Sequence, residues 1–193
     1  FPRDDPLVVL SVGLVLWLFA ELVLAVSPIL VGAGLAITVV LGYVSYALGT
    51  ASVPGMLTGV LLGLLAVVLG GVGWFLALMA FFAIGGLSSK YRYEEKKTRG
   101  VAEENEGARG TGNVLANSAV ALAAVLGFAA TAHGEVPAWP LALAFAGSVA
   151  TALGDTLSSE IGGLYDEPRL VTTLEPVDPG TDGAITWQGE LAG

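Results

Sequence analysis

Residues 54–89, PGMLTGVLLGLLAVVLGGVGWFLALMAFFAIGGLSS, decide the fold because they contain no Asp, Glu, Lys, Arg or His. Outward from this stretch, residues 6–89 contain a single ionisable acid or base other than tyrosine, Glu21. The whole chain of 193 residues is 54% hydrophobic and 13% charged, whereas water-soluble domains carry about 25% charged residues. Apolar runs of this length exclude a water-soluble domain and predict an all-α integral membrane protein.

Turn signals divide the apolar sequence into about six spanning helices. GGVG at 70–73 predicts the tight turn between the third and fourth spans, and Pro28, Pro54 and Pro140 stand near helix starts, where a missing N–H costs least. The predicted spans are 7–26, 28–48, 54–70, 72–89, 113–132 and 139–158. We interpret 1–193 as one polytopic membrane domain, in which the four apolar helices of 7–89 precede two polar-faced helices within 113–158.

The basic residues determine the expected orientation. Six of the 8 Lys and Arg residues fall in or beside the polar loop 90–112, and the other two are Arg3 and Arg169, in the second polar loop, 159–193. With six spans, the amino end and the two polar loops lie on one side of the membrane. The positive-inside rule makes this side cytoplasmic. We therefore expect the amino end and both long loops on the cytoplasmic face of the cell membrane.

The stretch GDTLSSEIG, residues 154–162, brings two carboxylates to the end of the last predicted span. Asp155 shares one helical face with Ser148 and Thr151, because their spacing follows the helical period. Two acids at a helix C-terminus meet the partial negative charge of the helix dipole, which a bound cation would compensate. We predict that Asp155, with Glu160, faces a metal ion; an interfacial residue that anchors the helix end is the alternative for Asp155.

The entry to the fifth span, EGARGTGNVLAN at 106–117, has the features of an anion site. Free backbone N–H groups at a helix start attract phosphates, and Arg109 stands just upstream of them. Asn113 and Asn117 are one turn apart and lie at the same membrane depth as Asp155. A flexible loop that ends in an Asn cap is the alternative interpretation.

The second long loop adds further groups suited to phosphate. Arg169 can bind a phosphate bidentately, and Thr172 and Thr173 can donate their hydroxyls. PGTDG at 179–183 is a turn whose consecutive N–H groups can form an anion-binding nest, with Asp182 available for a metal; an ordinary turn is the alternative. Phosphate-binding groups from two loops with carboxylates between them predict a bound nucleotide or diphosphate with Mg²⁺, which takes one or two carboxylates plus phosphate oxygens.

Five motifs occur in a fixed order: FFAIGGLSSKY, ARGTGNVLAN, FAGSVATALGDTLSSEIG, PRLVTT and PGTDGAITWQG. Together they resemble the membrane protein family that includes the plant phytyl-phosphate kinase and its archaeal and bacterial relatives, over roughly residues 54–193. A more distant similarity runs to the CTP-dependent polyprenol kinases and CDP-lipid synthases. The resemblance implies Mg²⁺ as cofactor, a nucleoside triphosphate, with CTP favoured, as donor, and at least one more helix beyond Gly193.

The leading hypothesis is phosphoryl transfer from the nucleotide to a polyprenyl monophosphate such as phytyl or geranylgeranyl phosphate. Asp155 would hold Mg²⁺, with Glu160 or Asp182, and Asn113 and Asn117 would orient a reacting oxygen. The predicted nucleotide- and phosphate-binding residues are Lys90, Lys96, Lys97, Arg109, Arg169, Thr172, Thr173, Gly180, Thr181 and Gly183.

Other classes of function remain open from the sequence. The same groups would serve a nucleotidyltransferase that makes a CDP-lipid, and the products distinguish the two reactions. A transporter or scramblase of phosphorylated lipids would place its polar groups at mid-membrane, whereas here they crowd one surface. A membrane scaffold would leave the loop chemistry unexplained. We expect a lipid substrate and the bilayer as partners, and no nucleic acid.

Overall fold

Helices make up most of the structure, a computed structural model that describes residues 26–103, 105–131 and 137–193. The helices are α1 (Pro28–Ala47), α2 (Val53–Leu65), α3 (Val72–Lys90), α4 (Tyr93–Thr98), α5 (Thr111–Thr131), α6 (Trp139–Gly162) and α7 (Trp187–Ala192). Two short antiparallel strands, β1 (Arg169–Leu170) and β2 (Ala184–Ile185), lie between α6 and α7. The first predicted span, 7–26, lies outside the described residues except for its last position.

Five helical segments of the described chain are long and apolar enough to cross a membrane: α1, α2 with the π-helical turn Ala66–Gly70, α3, α5 and α6. They contain 18 to 24 residues, which corresponds to about 27–36 Å at 1.5 Å per residue. The hydrocarbon core of a bilayer is about 30 Å thick. The prediction of a multi-pass, all-α integral membrane protein is confirmed, and the five segments correspond to the second to sixth predicted spans.

The helices α2, α3, α5 and α6 pack around a common core, while α1 lies at the edge. The core is formed by Leu62, Ala66, Leu78, Phe81, Val114, Ala121, Ala124, Val125, Phe145 and Val149. Trp74 packs against two aromatic rings, Phe128 and Phe145, with centroid separations of 4.7 and 4.5 Å. Alanines on α5 let the helices approach closely, as in other membrane helix pairs. On α1 only Gly34 and Thr38 are buried, so the other described helices cover little of its apolar surface.

The helix ends differ from the predicted ones at the polar side. α5 begins at Thr111 rather than 113, and α6 continues to Gly162 rather than ending at 158. The predicted loop 90–112 contains α4, and the predicted loop 159–193 contains the two strands and α7. Glu160 therefore belongs to the last turn of α6, which tertiary contacts with α4 and α7 hold in helical form.

The two polar segments between and after the helices, 91–110 and 163–193, lie at the same end of the bundle, which we call the loop face. Arg99 Nη1 lies 2.7 Å from Asp166 Oδ1 and joins the two segments directly. The connection between α1 and α2 reaches the loop face as well: Arg109 N donates to Thr50 O (3.0 Å) and Ser52 N donates to Arg109 O (3.1 Å). These two backbone hydrogen bonds fix Arg109 against the start of α2.

Gly55 permits that contact, because a Cβ at this position would lie 2.0 Å from Arg109 O. We expect Gly55→Ala to destabilise the protein by about 1–3 kcal/mol, the usual cost of overpacking, measured as a lower thermal unfolding midpoint in detergent micelles. Gly59→Ala on the same helix is the matched control, since a Cβ there meets no atom within 4 Å. Equal midpoints for the two variants would contradict the close backbone approach.

The short helix α7 rests on α6 through small residues. Gly154, Ser158 and Gly162 recur every fourth residue and so share one face of α6. A Cβ on Gly189 would lie 2.6 Å from Ser158 O and 2.9 Å from Gly162 Cα. Thr186 adds a hydrogen-bonded link, because its hydroxyl donates to Gly162 O (3.2 Å) and accepts from Gly189 N (3.2 Å). The second polar loop therefore begins at the end of α6 and, through α7, packs back against α6.

Candidate functional site

Two polar cavities meet at the loop face, and Asp155 lines both of them. The inner cavity, about 300 Å³, lies between α5, α6 and the segment 101–103. Its polar lining consists of Glu103, Arg109, Asn113, Asn117, Asp155, Thr156, Ser159 and Glu160. The outer cavity, about 900 Å³, lies between residues 100–102, the end of α6 and the turn at 179–186.

The two asparagines of α5 form a short hydrogen-bonded unit in the inner cavity. Asn117 Nδ2 donates to Asn113 O (2.9 Å) and to Asn113 Oδ1 (3.1 Å), and Asn113 Nδ2 donates to Glu103 Oε1 (3.4 Å). These contacts orient both amides. They leave Asn117 Oδ1 without a hydrogen bond from any described residue, so this oxygen can accept one from a ligand or contact a cation.

Asp155 is exposed in the last two turns of α6. Among the described residues, no side chain forms an ion pair or a hydrogen bond with its carboxylate. A carboxylate without a protein partner that lies between two cavities can bind a cation from either of them. This is the position in which a metal shared with a ligand's phosphate oxygens would be held.

Arg109 is buried, with 6% of its surface exposed. Its guanidinium lies 5.5 Å from the centre of the Phe81 ring, and Gly85 leaves room for it, since a Cβ there would lie 2.9 Å from Nη2. Nη2 is 3.5 Å from Thr156 Oγ1, whereas Nε and Nη1 have no partner among the described residues. Burial lowers the pKa of Arg109, while Glu103 and Glu160 raise it; a guanidinium remains charged at neutral pH regardless.

Lys96 and Glu160 form a buried ion pair, whereas the sequence predicts a phosphate contact for Lys96 and a metal contact for Glu160. Lys96 is 0% exposed, and its Nζ lies 2.5 Å from Glu160 Oε2. The ammonium also donates to Ser88 O (3.0 Å) and Ser89 O (2.9 Å), which uses all three of its N–H bonds. The structure therefore departs from the expectation that Lys96 binds phosphate, and the charge of Glu160 is compensated before any metal arrives. The pair ties α3, α4 and α6 together.

Other residues expected to bind phosphate lie outside the lining of both cavities. Lys90 Nζ donates to Glu106 O (2.6 Å), and Arg169 Nη1 donates to Leu174 O (2.8 Å). Lys97, Thr172 and Thr173 are exposed. None of these five residues lines the inner or the outer cavity. Lys90 ends α3, Lys97 belongs to α4, and the other three lie in or just after β1.

The PGTDG turn does reach the outer cavity, where Gly180, Thr181, Asp182 and Gly183 are part of the lining. The turn is held by Thr181 N, which donates to Asp178 O (3.2 Å), and by Ala184 N, which donates to Thr181 O (3.0 Å). Gly180 and Gly183 adopt left-handed backbone angles, with φ of 84° and 76°. The N–H groups of Gly180, Asp182 and Gly183 have no backbone acceptor among the described residues, so they are available to an anion.

The acidic residues fit a metal ion that arrives with phosphates better than a preformed metal cage. No group of three or more His, Asp or Glu side chains in the described segments is close enough to hold a metal by itself. The outer cavity is lined by Asp155, Asp182 and Glu190 and by no described Lys or Arg. Mg²⁺ is commonly held by one or two carboxylates together with substrate phosphates, and Asp155, with Asp182 across the outer cavity, suits that mode.

Two polar residues that line the inner cavity, Glu103 and Thr156, were not predicted from the sequence. Glu103 lies in an acidic stretch six residues before Arg109, and no spacing singles it out. Thr156 follows Asp155 directly on α6, and a spacing of one residue gives no helical-face signal. Ser159, one turn after Asp155, also lines the inner cavity, and the helical period places Ser158 or Ser159 on the face of Asp155.

Comparison with known proteins shows relatives in three kinds of organism. Residues 36–193 match a family described as integral membrane protein DUF92. An uncharacterized membrane protein of Synechocystis sp. is 40% identical over 127 residues, which cover 63% of this chain and 48% of that protein. An uncharacterized membrane protein of Methanocaldococcus jannaschii is 38% identical over 144 residues, 72% of this chain and 55% of that protein.

A plant protein is also similar: Protein VTE6, chloroplastic, of Arabidopsis thaliana is 35% identical over 143 residues, which cover 74% of this chain and 43% of that protein. The chain thus spans about half the length of these curated relatives. No solved structure matches the chain.

Proposed function

The chain belongs to the integral membrane protein family DUF92, and we propose that it is a membrane-embedded prenyl-phosphate kinase. In this proposal a phosphoryl group passes from a nucleoside triphosphate, with CTP favoured, to a polyprenyl monophosphate such as phytyl or geranylgeranyl phosphate. The motif resemblance to the family of the plant phytyl-phosphate kinase supports this substrate class. The loop face would lie on the cytoplasmic side of the cell membrane, because the basic residues cluster there.

One observation carries the proposal: Arg109, Asn113, Asn117 and Asp155 line a single cavity where the membrane helices meet the polar loops. Phosphoryl transfer depends mainly on positioning and on neutralising charge. A prenyl monophosphate is already an anion at neutral pH, so the reaction needs no strong general base. A cavity with one arginine, one unpaired carboxylate and two oriented amides meets these requirements.

The residues divide into two groups around Asp155. Arg109 would bind the acceptor phosphate in the inner cavity, and Asn117 would orient its attacking oxygen. The N–H groups of Gly180, Asp182 and Gly183 would bind the donor phosphates in the outer cavity. The acceptor oxygen attacks the γ-phosphorus, the bond from that phosphorus to the bridging oxygen breaks, and the nucleoside diphosphate leaves.

Mg²⁺, held by Asp155 with Asp182, would neutralise phosphate charge when bound. Lys90, Lys96, Lys97, Arg169, Thr172 and Thr173 have no role in this proposal, because they lie outside both cavities or are already paired. Glu160 acts through its pair with Lys96 as a structural group.

The test is a transfer assay with purified protein, Mg²⁺ and geranylgeranyl monophosphate. CTP and ATP are supplied with the label in either the α- or the γ-phosphate, and lipid products are resolved. We expect γ-label in a prenyl diphosphate and no lipid product when Mg²⁺ is chelated. Label from the α-phosphate in the lipid would instead identify a nucleotidyltransferase, and no labelled lipid with either donor would contradict both enzymatic functions.

A further inference from the structure

An apolar groove lies on the other side of Arg109 from the inner cavity. It has a volume of about 240 Å³ and runs between α1, α2 and α3. We define the apolar groove by the lining parts of Thr38–Leu48, Gly55–Gly59 and Met79–Leu87, with Arg109 in its wall. Leu48 and Leu87 on its rim are 62% and 59% exposed, so the groove opens sideways towards the surrounding lipid.

Among the described residues that line the groove, Arg109 alone is charged. A buried charge without a partner is costly, and buried polar atoms in native proteins normally have partners. Two N–H groups of Arg109, on Nε and Nη1, have none among the described residues. An arginine held by backbone contacts at the junction of an apolar groove and a polar cavity fits a ligand that is apolar along most of its length and anionic at one end. A phosphate headgroup can accept charge-assisted, bidentate hydrogen bonds from the N–H groups on Nε and Nη1.

The size of the groove limits the number of chains that it can take. Its lining on α1 spans ten residue steps, from Thr38 to Leu48, or about 15 Å at 1.5 Å per residue. This is half of the roughly 30 Å hydrocarbon core, so the groove matches one leaflet, the one at the loop face. Its volume is below the roughly 300–1,000 Å³ of pockets that enclose a drug-sized molecule, which favours a segment of one hydrocarbon chain over two.

We propose that the apolar groove binds the chain of a single-chain lipid phosphate whose headgroup is held by Arg109. The lipid enters sideways from the leaflet at the loop face, between α1 and α3. The assignment of this lipid as the acceptor rests on the proposed kinase function. Acceptor and donor then approach Asp155 from opposite sides, the lipid from the groove and the nucleotide from the outer cavity. The binding of the lipid itself rests only on the groove and on Arg109.

A photoreactive farnesyl monophosphate with a diazirine on its chain tests the proposal directly. After irradiation in detergent micelles, mass spectrometry maps the labelled positions. We expect labels within 38–59 and 79–87, and about tenfold less labelling with the same probe carrying a hydroxyl in place of the phosphate, because a charge-assisted hydrogen bond is lost. Arg109→Gln should reduce labelling by the phosphate probe to the level of the hydroxyl probe.

A glycine substitution tests the groove without touching the core. Gly59 lines the groove, and a Cβ there meets no atom within 4 Å, so Gly59→Leu should fill it and lower labelling about tenfold. Gly147→Leu on α6 is the matched control, because Gly147 also has open space and lines none of the cavities named above. Thermal unfolding of both variants shows whether they fold. If they do not fold, the labelled positions on the unsubstituted protein still test the proposal.

The possible results of these experiments distinguish the groove assignment from the proposed kinase function. Labels confined to the α5–α6 surface, or labelling abolished by inorganic phosphate but unaffected by Gly59→Leu, would overturn the groove assignment. Labels in the groove without any phosphoryl transfer would leave the groove standing and remove the kinase. Transfer that persists in Gly59→Leu, with labels elsewhere, would leave the kinase and remove the groove.

Discussion

Replacing Asp155 with asparagine is expected to reduce phosphoryl transfer at least about 100-fold, the scale of losing one group that stabilises developing charge. Asp155 has the only carboxylate that lines both described cavities, and no described side chain pairs with it. The amide keeps the size of the side chain but loses the charge that would hold Mg²⁺. Because Asp155 is exposed and makes no structural contact, the thermal unfolding midpoint should stay unchanged.

Asp178→Asn is the matched control, because it removes the same charge from the same loop face at an exposed residue that lines neither cavity. The comparison uses the labelled-lipid assay at saturating and at limiting Mg²⁺. If Asp155 holds the metal, excess Mg²⁺ restores little activity and the control keeps its rate. Near-normal turnover in the Asp155→Asn variant would remove Asp155 from the proposed mechanism.

Breaking the Lys96–Glu160 pair is expected to produce the largest loss of stability. Lys96→Met leaves Glu160 as a buried charge without its partner, and Glu160→Gln does the same to Lys96. Removing one partner of a buried pair costs about 3–5 kcal/mol. Since the pair links α3, α4 and α6, each single variant should unfold at a much lower temperature in detergent micelles, and the readout needs no assumption about enzymatic activity.

The double variant Lys96→Met/Glu160→Leu should recover most of that loss, because two apolar side chains can replace a buried pair at little cost. The exposed pair Arg99–Asp166 provides the comparison, since Asp166 is 83% exposed. Asp166→Asn should change stability by about 1 kcal/mol or less, as for other surface pairs. Equal effects for the buried and the exposed pair would contradict the burial of Lys96.

The membrane architecture could be predicted from the sequence because it depends on local composition. A run of apolar residues longer than a bilayer is thick has few alternatives to a spanning helix, and the structure confirms the second to sixth spans. The ends of the helices were less predictable than the spans themselves. The last turn of α6 continues past 158 because Glu160 pairs with Lys96 and Gly162 contacts α7, and both partners are distant in sequence.

The residues of the candidate site were likewise predictable where local spacing places them, and unpredictable where tertiary packing does. Helical period and membrane depth suggested that Asn113, Asn117 and Asp155 would be neighbours, and the structure brings them into one cavity. Loop charge was a poorer guide to the site, because Lys96 and Lys97 are adjacent on α4, yet Lys96 is buried and Lys97 is exposed. Which side of a short helix faces the core depends on tertiary packing, and no count of basic residues contains that information.

The return of the second polar loop to α6 has a consequence for chain entropy. The loop is closed by Thr186 Oγ1 and Gly162 O, 24 positions apart, and closing a flexible loop costs only about 0.6 kcal/mol more for each doubling of its length. Residues can therefore be inserted or removed between these two ends, outside the strands and the turn at 179–183, at small cost, provided that the closure itself persists. The rest of the loop is free to change in length while Asp155 stays fixed on the helix that anchors both ends and the turn keeps its place in the wall of the outer cavity.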